Sequence, residues 1–177
     1  QTKHDQENFL ELCQMANLTH SRLREVLFYD QLTGLFQHLI DRGSAKTGTI
    51  ISGTPNKSGY LQIGIDGELF YAHRLAWFYM TGRWPIDQID HKNLRKSDNR
   101  WHNLRDATTS QNHANWPKSF KNTSGFKGVR KHRNRWQAVI SINRRSVPLG
   151  TFDTPEEAHA AYFAEAKKLF GEFARAA

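Results

Sequence analysis

The stretch "IDHKNLRKSDNRWHNLRDATTSQN", residues 89–112, is rich in Asp, His and Asn, poor in large apolar residues and free of Cys. Its polar residues fall in ordered pairs: Asp90-His91, Asp98-Asn99, His102-Asn103 and Gln111-Asn112. A merely solvated loop needs no such order. "QIDHK" and "NLRDA" read as two short strands joined by the polar "NLRKSDNRWH", and Thr108 reads as the cap of a helix running through "SQNHANW" until Pro117. Successive side chains on a strand point to opposite faces, so of Asp90 and His91 one can reach a metal while the other reaches a water or a phosphate. The helix brings Asn112 back over the same site. Asn103, at the start of the second strand, can hydrogen-bond the backbone beside His91 and hold its ring. A carboxylate and an amide oxygen suit a hard cation such as Mg²⁺, which keeps waters and takes phosphate oxygens as its remaining ligands. The pattern points to phosphodiester hydrolysis.

The composition fits such a substrate. The 177 residues carry 25 Lys and Arg against 17 Asp and Glu, a formal charge of +8, which favours a polyanion, nucleic acid ahead of an anionic membrane. No apolar run approaches the roughly 18 residues needed to span a bilayer, and no basic-apolar leader opens the sequence, so a soluble, intracellular, cytoplasmic protein is expected. The single cysteine, Cys13, stands at helical spacing with Phe9, Leu12 and Ala16, which reads as a buried core thiol and excludes a Cys-based structural zinc site. The length suits two modules.

Outward from the opening stretch, residues 5–17 read as a short amphipathic helix. A second follows the cap Thr19, with Leu23, Val26 and Leu27 on one face. "YLQIGIDGELFYA" alternates around an Asp66-Gly67 turn and reads as a hairpin with one buried face. "HRLAWFYMTG" places Leu75, Phe78 and Tyr79 at helical spacing and ends at Gly82. Residues 115–124, "NWPKSFKNTS", read as a linker. Beyond it "GFKGVRKH", "RWQAVISIN" and "RRSVPLGTF" read as three strands, with a turn at Asn143-Arg144. "TPEEAHAAYFAEAKKLFG" reads as a helix capped by Thr154 and Glu157, with Ala158, Ala161, Tyr162 and Leu169 facing the sheet.

"AHRLAW", "IDHKN", "SDNRWHNLR" and "SQN" together resemble the HNH endonuclease family, in the branch of phage and mobile-element homing endonucleases. The resemblance implies a ββα-metal core in which His91 is the general base that activates water, Asp90 and Asn112 bind the metal, and Asn103 fixes the loop bearing His91. It implies a divalent cofactor, Mg²⁺ with Mn²⁺ as the alternative, and cleavage to 5′-phosphate and 3′-hydroxyl ends. His73 and Arg100 are candidate phosphate contacts. The third motif position is Asn112 rather than His, and Asn93-Leu94 stand where the family often has Gly.

Residues 124–174 resemble the Apetala and ethylene-response-factor type of DNA-binding domain, on "GV", "LGTFDTPEEAHAAY" and "FGEFA". That resemblance implies a three-stranded sheet in the major groove, with Lys127, Arg130, His132, Arg135 and Arg145 toward DNA. Val139 and Pro148 replace an acidic residue and a Trp usual in plant members, so no target sequence carries over.

The expected architecture is α+β: a nuclease domain over 1–114, a linker over 115–124, and over 125–177 a three-stranded antiparallel sheet packed on one helix. The expected partner is double-stranded DNA, bound by a monomer or homodimer, with no membrane and no protein partner implied. Three alternatives stand beside this reading: a non-catalytic DNA-binding regulator that retains the nuclease scaffold, an RNA-binding or RNA-cutting protein, and a zinc site drawn from His73, Asp90, His91 and His102.

Overall fold

The computed structural model describes residues 17–143 and 145–176. Cys13, Arg144 and the first expected helix, apart from Asn17, lie outside the described residues. The chain divides into two compact units, residues 1–106 and 107–177. It is a mixed α and β protein with antiparallel sheets.

In the first unit, helix α1 spans His20–Val26, and the Thr19 side chain accepts from Arg22 N at 3.1 Å as its cap. Leu23 and Val26 are buried as their spacing predicts, while Leu27 already opens a strand. Strands β1 (Leu27–Asp30), β2 (Leu35–His38) and β3 (Ile50–Ile51) form one antiparallel sheet. β4 (Thr54–Pro55), β5 (Leu61–Ile65) and β6 (Glu68–Tyr71) form another. The β5–β6 hairpin turns at Asp66 and Gly67 with φ of 51° and 87°, as an Asp-Gly pair favours. Its inner face delivers Ile63, Ile65 and Phe70 to a core shared with Leu23, Phe36 and Leu75.

Helix α2 (Ala72–Thr81) buries Leu75, Phe78 and Tyr79, and Gly82 ends it in the left-handed region. Strands β7 (Gln88–His91) and β8 (Leu104–Ala107) pair beyond it, joined by a polar loop and a 3₁₀ turn over Trp101–Asn103. The β1–β2 turn lies against that loop. A Cβ on Gly34, whose φ is +75°, would stand 2.5 Å from the Arg100 backbone nitrogen, so only glycine allows the approach.

In the second unit, β9 (Val129–His132), β10 (Arg135–Ile142) and β11 (Arg145–Phe152) form an antiparallel sheet in the order β11-β10-β9. It packs on a helix that spans Pro155–Phe170, starts in the expected Thr154–Glu157 capping box and ends at Gly171. The buried face of this helix is Ala158, Tyr162 and Ala166, one residue per turn. Leu169, expected on that face, is exposed because it falls off that row. Tyr162 lies so close to the sheet that a Cβ on Gly128 would sit 2.1 Å from its ring.

The division between units differs from the expected boundary at residue 114. Helix α3 (Thr109–Asn115), capped by Thr108 and Gln111 as anticipated, groups with the C-terminal sheet. Its seven residues are too few to persist unsupported. Ala114 packs with Ala107 and Phe173, the Arg175 amide donates to the Ala114 carbonyl at 3.3 Å, and the Asn143 amide donates to Ser110 Oγ at 3.2 Å. The segment expected as a linker is itself folded onto this unit, with Lys118 Nζ donating to the Gly125 carbonyl at 2.6 Å. The C-terminal helix is α4 below.

Candidate active site

Strand β7 is buried along Ile89, Asp90 and His91, and two of those three residues are polar. Burying a carboxylate needs compensation. Asp90, 2% exposed, finds it on the neighbouring strand, where Arg105 Nε donates to Oδ2 at 2.8 Å.

His91 points its Nε2 at Asn99 Oδ1, 3.1 Å away. An amide oxygen only accepts, so Nε2 carries the proton and the basic lone pair falls to Nδ1. Burial pushes the His91 pKa below the ordinary imidazole value, against the opposing pull of the Asn99 hydrogen bond and of Asp90 and Asp98. The ring is therefore neutral at pH 7 and able to take a proton. Asn99 is held in turn by Tyr29, whose hydroxyl donates to the Asn99 carbonyl at 2.6 Å.

Asn103 acts on the loop. Its Oδ1 accepts from the Asn93 amide at 3.0 Å, and its Nδ2 donates to Asn93 Oδ1 at 3.1 Å and to the Asp98 carbonyl at 2.8 Å. The Lys92 amide donates to the Asn103 carbonyl at 2.9 Å. These bonds fasten the chain on both sides of the turn after His91, whereas the ring itself is met by Asn99. Arg100, a candidate phosphate contact, is instead committed to Asp98 through two bonds of 2.7 and 2.6 Å, which hold that carboxyl far below its usual range.

His73, near the start of α2, is buried beside His91 with ring centroids 5.2 Å apart. Its Nδ1 has no hydrogen-bond partner among the described residues. Burial, then the neighbouring His91 and Arg74, push its pKa well below the ordinary value. Tyr60 completes the group, its ring 5.1 Å from that of His73 and 6.0 Å from that of His91. Sequence reading missed Tyr60 and Arg105. Tyr60 lies thirty residues before the motif with no pattern of its own, whereas Arg105, two residues past Asn103 on a paired strand, could have been found by testing which cation faces Asp90.

The zinc alternative does not gather: His102 is exposed while His73, Asp90 and His91 are buried. Among the described residues no cluster of three or more His, Cys, Asp or Glu could hold a metal ion. Taken each by itself, the Asp90 carboxylate and the amide oxygen of Asn112, which is partly exposed on α3, are donors of the kind a hard cation takes.

In the second unit the residues expected toward DNA separate. Arg130, His132 and Arg135 are exposed on the outer face of the sheet, where Arg130 reaches Gln137 Oε1 at 2.9 and 3.0 Å and Arg135 reaches Asp153 at 2.8 Å. Arg145 is exposed but pairs across the strands with Ile142, and directly opposed residues share a face, so the register puts it on the helix side. Lys127 is not on a face at all. It is 9% exposed, its Nζ donates to the carbonyls of Ala114 and Trp116, and burial lowers its pKa to about 8. Those carbonyls end α3, where a helix leaves acceptors unpaired and an ammonium is favoured.

A strand-loop-strand with a buried Asp-His pair and an asparagine-fastened loop defines a compact polar site. Residues 70–114 match the family model described as HNH endonuclease. The matched segment is the one that carries the site. An uncharacterized HNH endonuclease, L560, of Acanthamoeba polyphaga mimivirus is 36% identical over 124 residues, 67% of this chain and 62% of the viral protein. The ethylene-responsive transcription factor ERF084 of Arabidopsis thaliana is 52% identical over 56 residues, 30% of this chain and 22% of the plant protein. The chain therefore spans less than two thirds of either relative. A solved structure titled as DNA binding and cleavage by the HNH homing endonuclease I-HmuI overlaps 50% of each chain at 26% identity, with a TM-score of 0.38.

Proposed function

We propose that this chain is a metal-dependent, homing-type DNA endonuclease whose β7, β8 and α3 form a ββα-metal core and whose C-terminal sheet holds the target. The observation that carries the proposal is the buried Asp90-His91 pair, in which a neutral imidazole is aimed by Asn99 beside a carboxylate held by Arg105.

In this reading Asp90 and Asn112 hold a divalent cation, Mg²⁺ or Mn²⁺, which when bound supplies charge stabilisation at the scissile phosphate and the leaving oxygen. His91 takes a proton from water at Nδ1, the water oxygen bonds to phosphorus, and the bond to the 3′ oxygen breaks. That oxygen leaves with a proton from solvent, giving 5′-phosphate and 3′-hydroxyl ends. His73, neutral and beside His91, is placed to contact the phosphate or the leaving group. Asn103 is a positioning residue, since every bond it makes is to the loop. Arg130, His132 and Arg135 supply the outer cations for DNA. A monomer on DNA would nick, and a homodimer would cut both strands.

The test is conversion of supercoiled plasmid in Mg²⁺, Mn²⁺ or EDTA. Wild type is expected to yield open circles or linear molecules only with metal. Asp90→Ala and His91→Ala are expected to lose about 10²-fold or more of the rate while still binding duplex. Cleavage by Asp90→Ala at the wild-type rate would sink the proposal.

A further inference from the structure

Residues 107–152 contain no Asp or Glu, and nine Lys and Arg fall between Lys118 and Gly150. Within this basic tract Phe120 is 93% exposed. A lone exposed aromatic on a slack loop would mean little, but this one is mounted. The Asn122 amide donates to the Ser119 carbonyl at 2.9 Å, closing a turn with Phe120 and Lys121 at its corners. The Lys121 amide donates to Ser119 Oγ at 3.3 Å.

The base of the turn is tied to the start of β9. Asn122 Nδ2 donates to the carbonyls of Phe126 and Val129 at 2.8 and 3.4 Å, and Asn122 Oδ1 accepts from the Gly125 amide at 3.0 Å. The Ser124 hydroxyl reaches the Val129 carbonyl at 2.9 Å. Lys121 Nζ sits 5.7 Å from the Phe120 ring centroid, so the apolar plate has a cation at its side.

We propose that Phe120 is a wedge that inserts between stacked base pairs of duplex DNA, with Lys121 on an adjoining phosphate. The proposal rests on the reading that the second unit binds duplex. Three observations choose DNA as the occupant. Acidic residues are absent across the tract, which matches a polyanion. A single ring on a hydrogen-bonded tip with a cation 5.7 Å away offers an apolar plate to a base step and a charge to its phosphate, and apolar side chains inserted in this way unstack and kink DNA. The neighbours Ser119, Asn122 and Thr123 are polar, so the tip offers too little apolar area for a membrane surface or a protein interface.

A wedge of this kind untwists DNA, which gives a readout that needs no target sequence. Closed circular plasmid is incubated with the protein and a metal-independent topoisomerase in EDTA, the protein is removed, and the topoisomers are resolved. Wild type is expected to leave negatively supercoiled topoisomers. Phe120→Ala is expected to lose that shift and bind about five- to tenfold more weakly with an unchanged salt dependence, whereas Phe120→Leu, still apolar, retains the shift. Because the side chain is in water, neither change threatens folding.

A shift retained by Phe120→Ala overturns the wedge. If wild type binds plasmid yet leaves no shift, the wedge falls while DNA binding stands. If wild type binds no plasmid at any salt concentration, the reading of the unit as a DNA binder falls and takes the wedge with it. Loss of binding by Phe120→Ala to anionic vesicles but not to plasmid assigns the tip to a membrane and also overturns the proposal.

Discussion

Arg105 on β8 donates from Nε to Oδ2 of Asp90 on β7 at 2.8 Å, with both side chains nearly or wholly out of water. The buried carboxylate is thereby oriented by a fixed cation, which under the proposed function is the role outer hydrogen bonds commonly have toward ligating groups. The arrangement also makes each partner hostage to the other, because a buried charge left alone is far costlier than the pair is favourable.

Arg105→Met is therefore expected to lower stability by about 3–5 kcal/mol, and Asp90→Asn combined with Arg105→Met by less than the sum of the two single changes. Urea denaturation of the four proteins measures this. Additive losses would show that the pair does not act as a unit.

Stability should also fall on the acid side through the buried histidines. His73 and His91 have folded pKa values below the ordinary 6.5, so the unfolded chain binds protons first as pH drops. Their neutral forms contribute fully above about pH 6.5, and stability declines below it, at up to about 1.4 kcal/mol per pH unit for each group. His73→Phe should flatten the slope between pH 6.5 and 5, read from denaturation midpoints. An unchanged slope would mean that His73 is hydrated in solution.

Asn103→Ala removes three side-chain bonds from the loop after His91 and leaves the Asn93 amide and the Asp98 carbonyl without that partner. The expected cost is about 2–3 kcal/mol, concentrated in the loop. Amide hydrogen exchange at Asn93 should accelerate while the β5–β6 hairpin keeps its protection. Uniform acceleration across the first unit would place Asn103 in the global core instead.

Lys127 and Arg130 stand three residues apart, but only the Arg130 variant should change the salt dependence of binding. Arg130 is exposed, so Arg130→Ala should weaken duplex binding and reduce the slope of log affinity against log salt by about 1. Lys127→Met should leave that slope intact and instead loosen α3, whose terminal carbonyls it binds. Equal loss of slope in both variants would show that Lys127 swings out to meet DNA.

Much of the fold was legible from local signals. Thr19, Thr108 and Thr154 cap helices where they stand, Asp66-Gly67 makes its hairpin turn, and β7 and β8 flank the polar loop as read. Asp90, His91, Asn103 and Asn112 were singled out because their order matches a family pattern carried by nearby residues, and their roles belong to the proposed function. Tyr60 was not, because nothing near it in the chain distinguishes it from other hairpin aromatics. Arg145 was misplaced because a bulge and the register at the tip of the sheet decide its face.

By itself the sequence determined the elements, their caps, the basic charge and the motif, since each depends on interactions within a few residues. The tertiary structure alone decided which distant groups meet: Arg105 with Asp90, Tyr60 with the two histidines, and α3 with the C-terminal sheet. Lys127 shows the reason most plainly. A lysine in a basic tract reads as a surface cation, but the carbonyls at the end of α3 offer a buried acceptor that no pattern in the tract encodes.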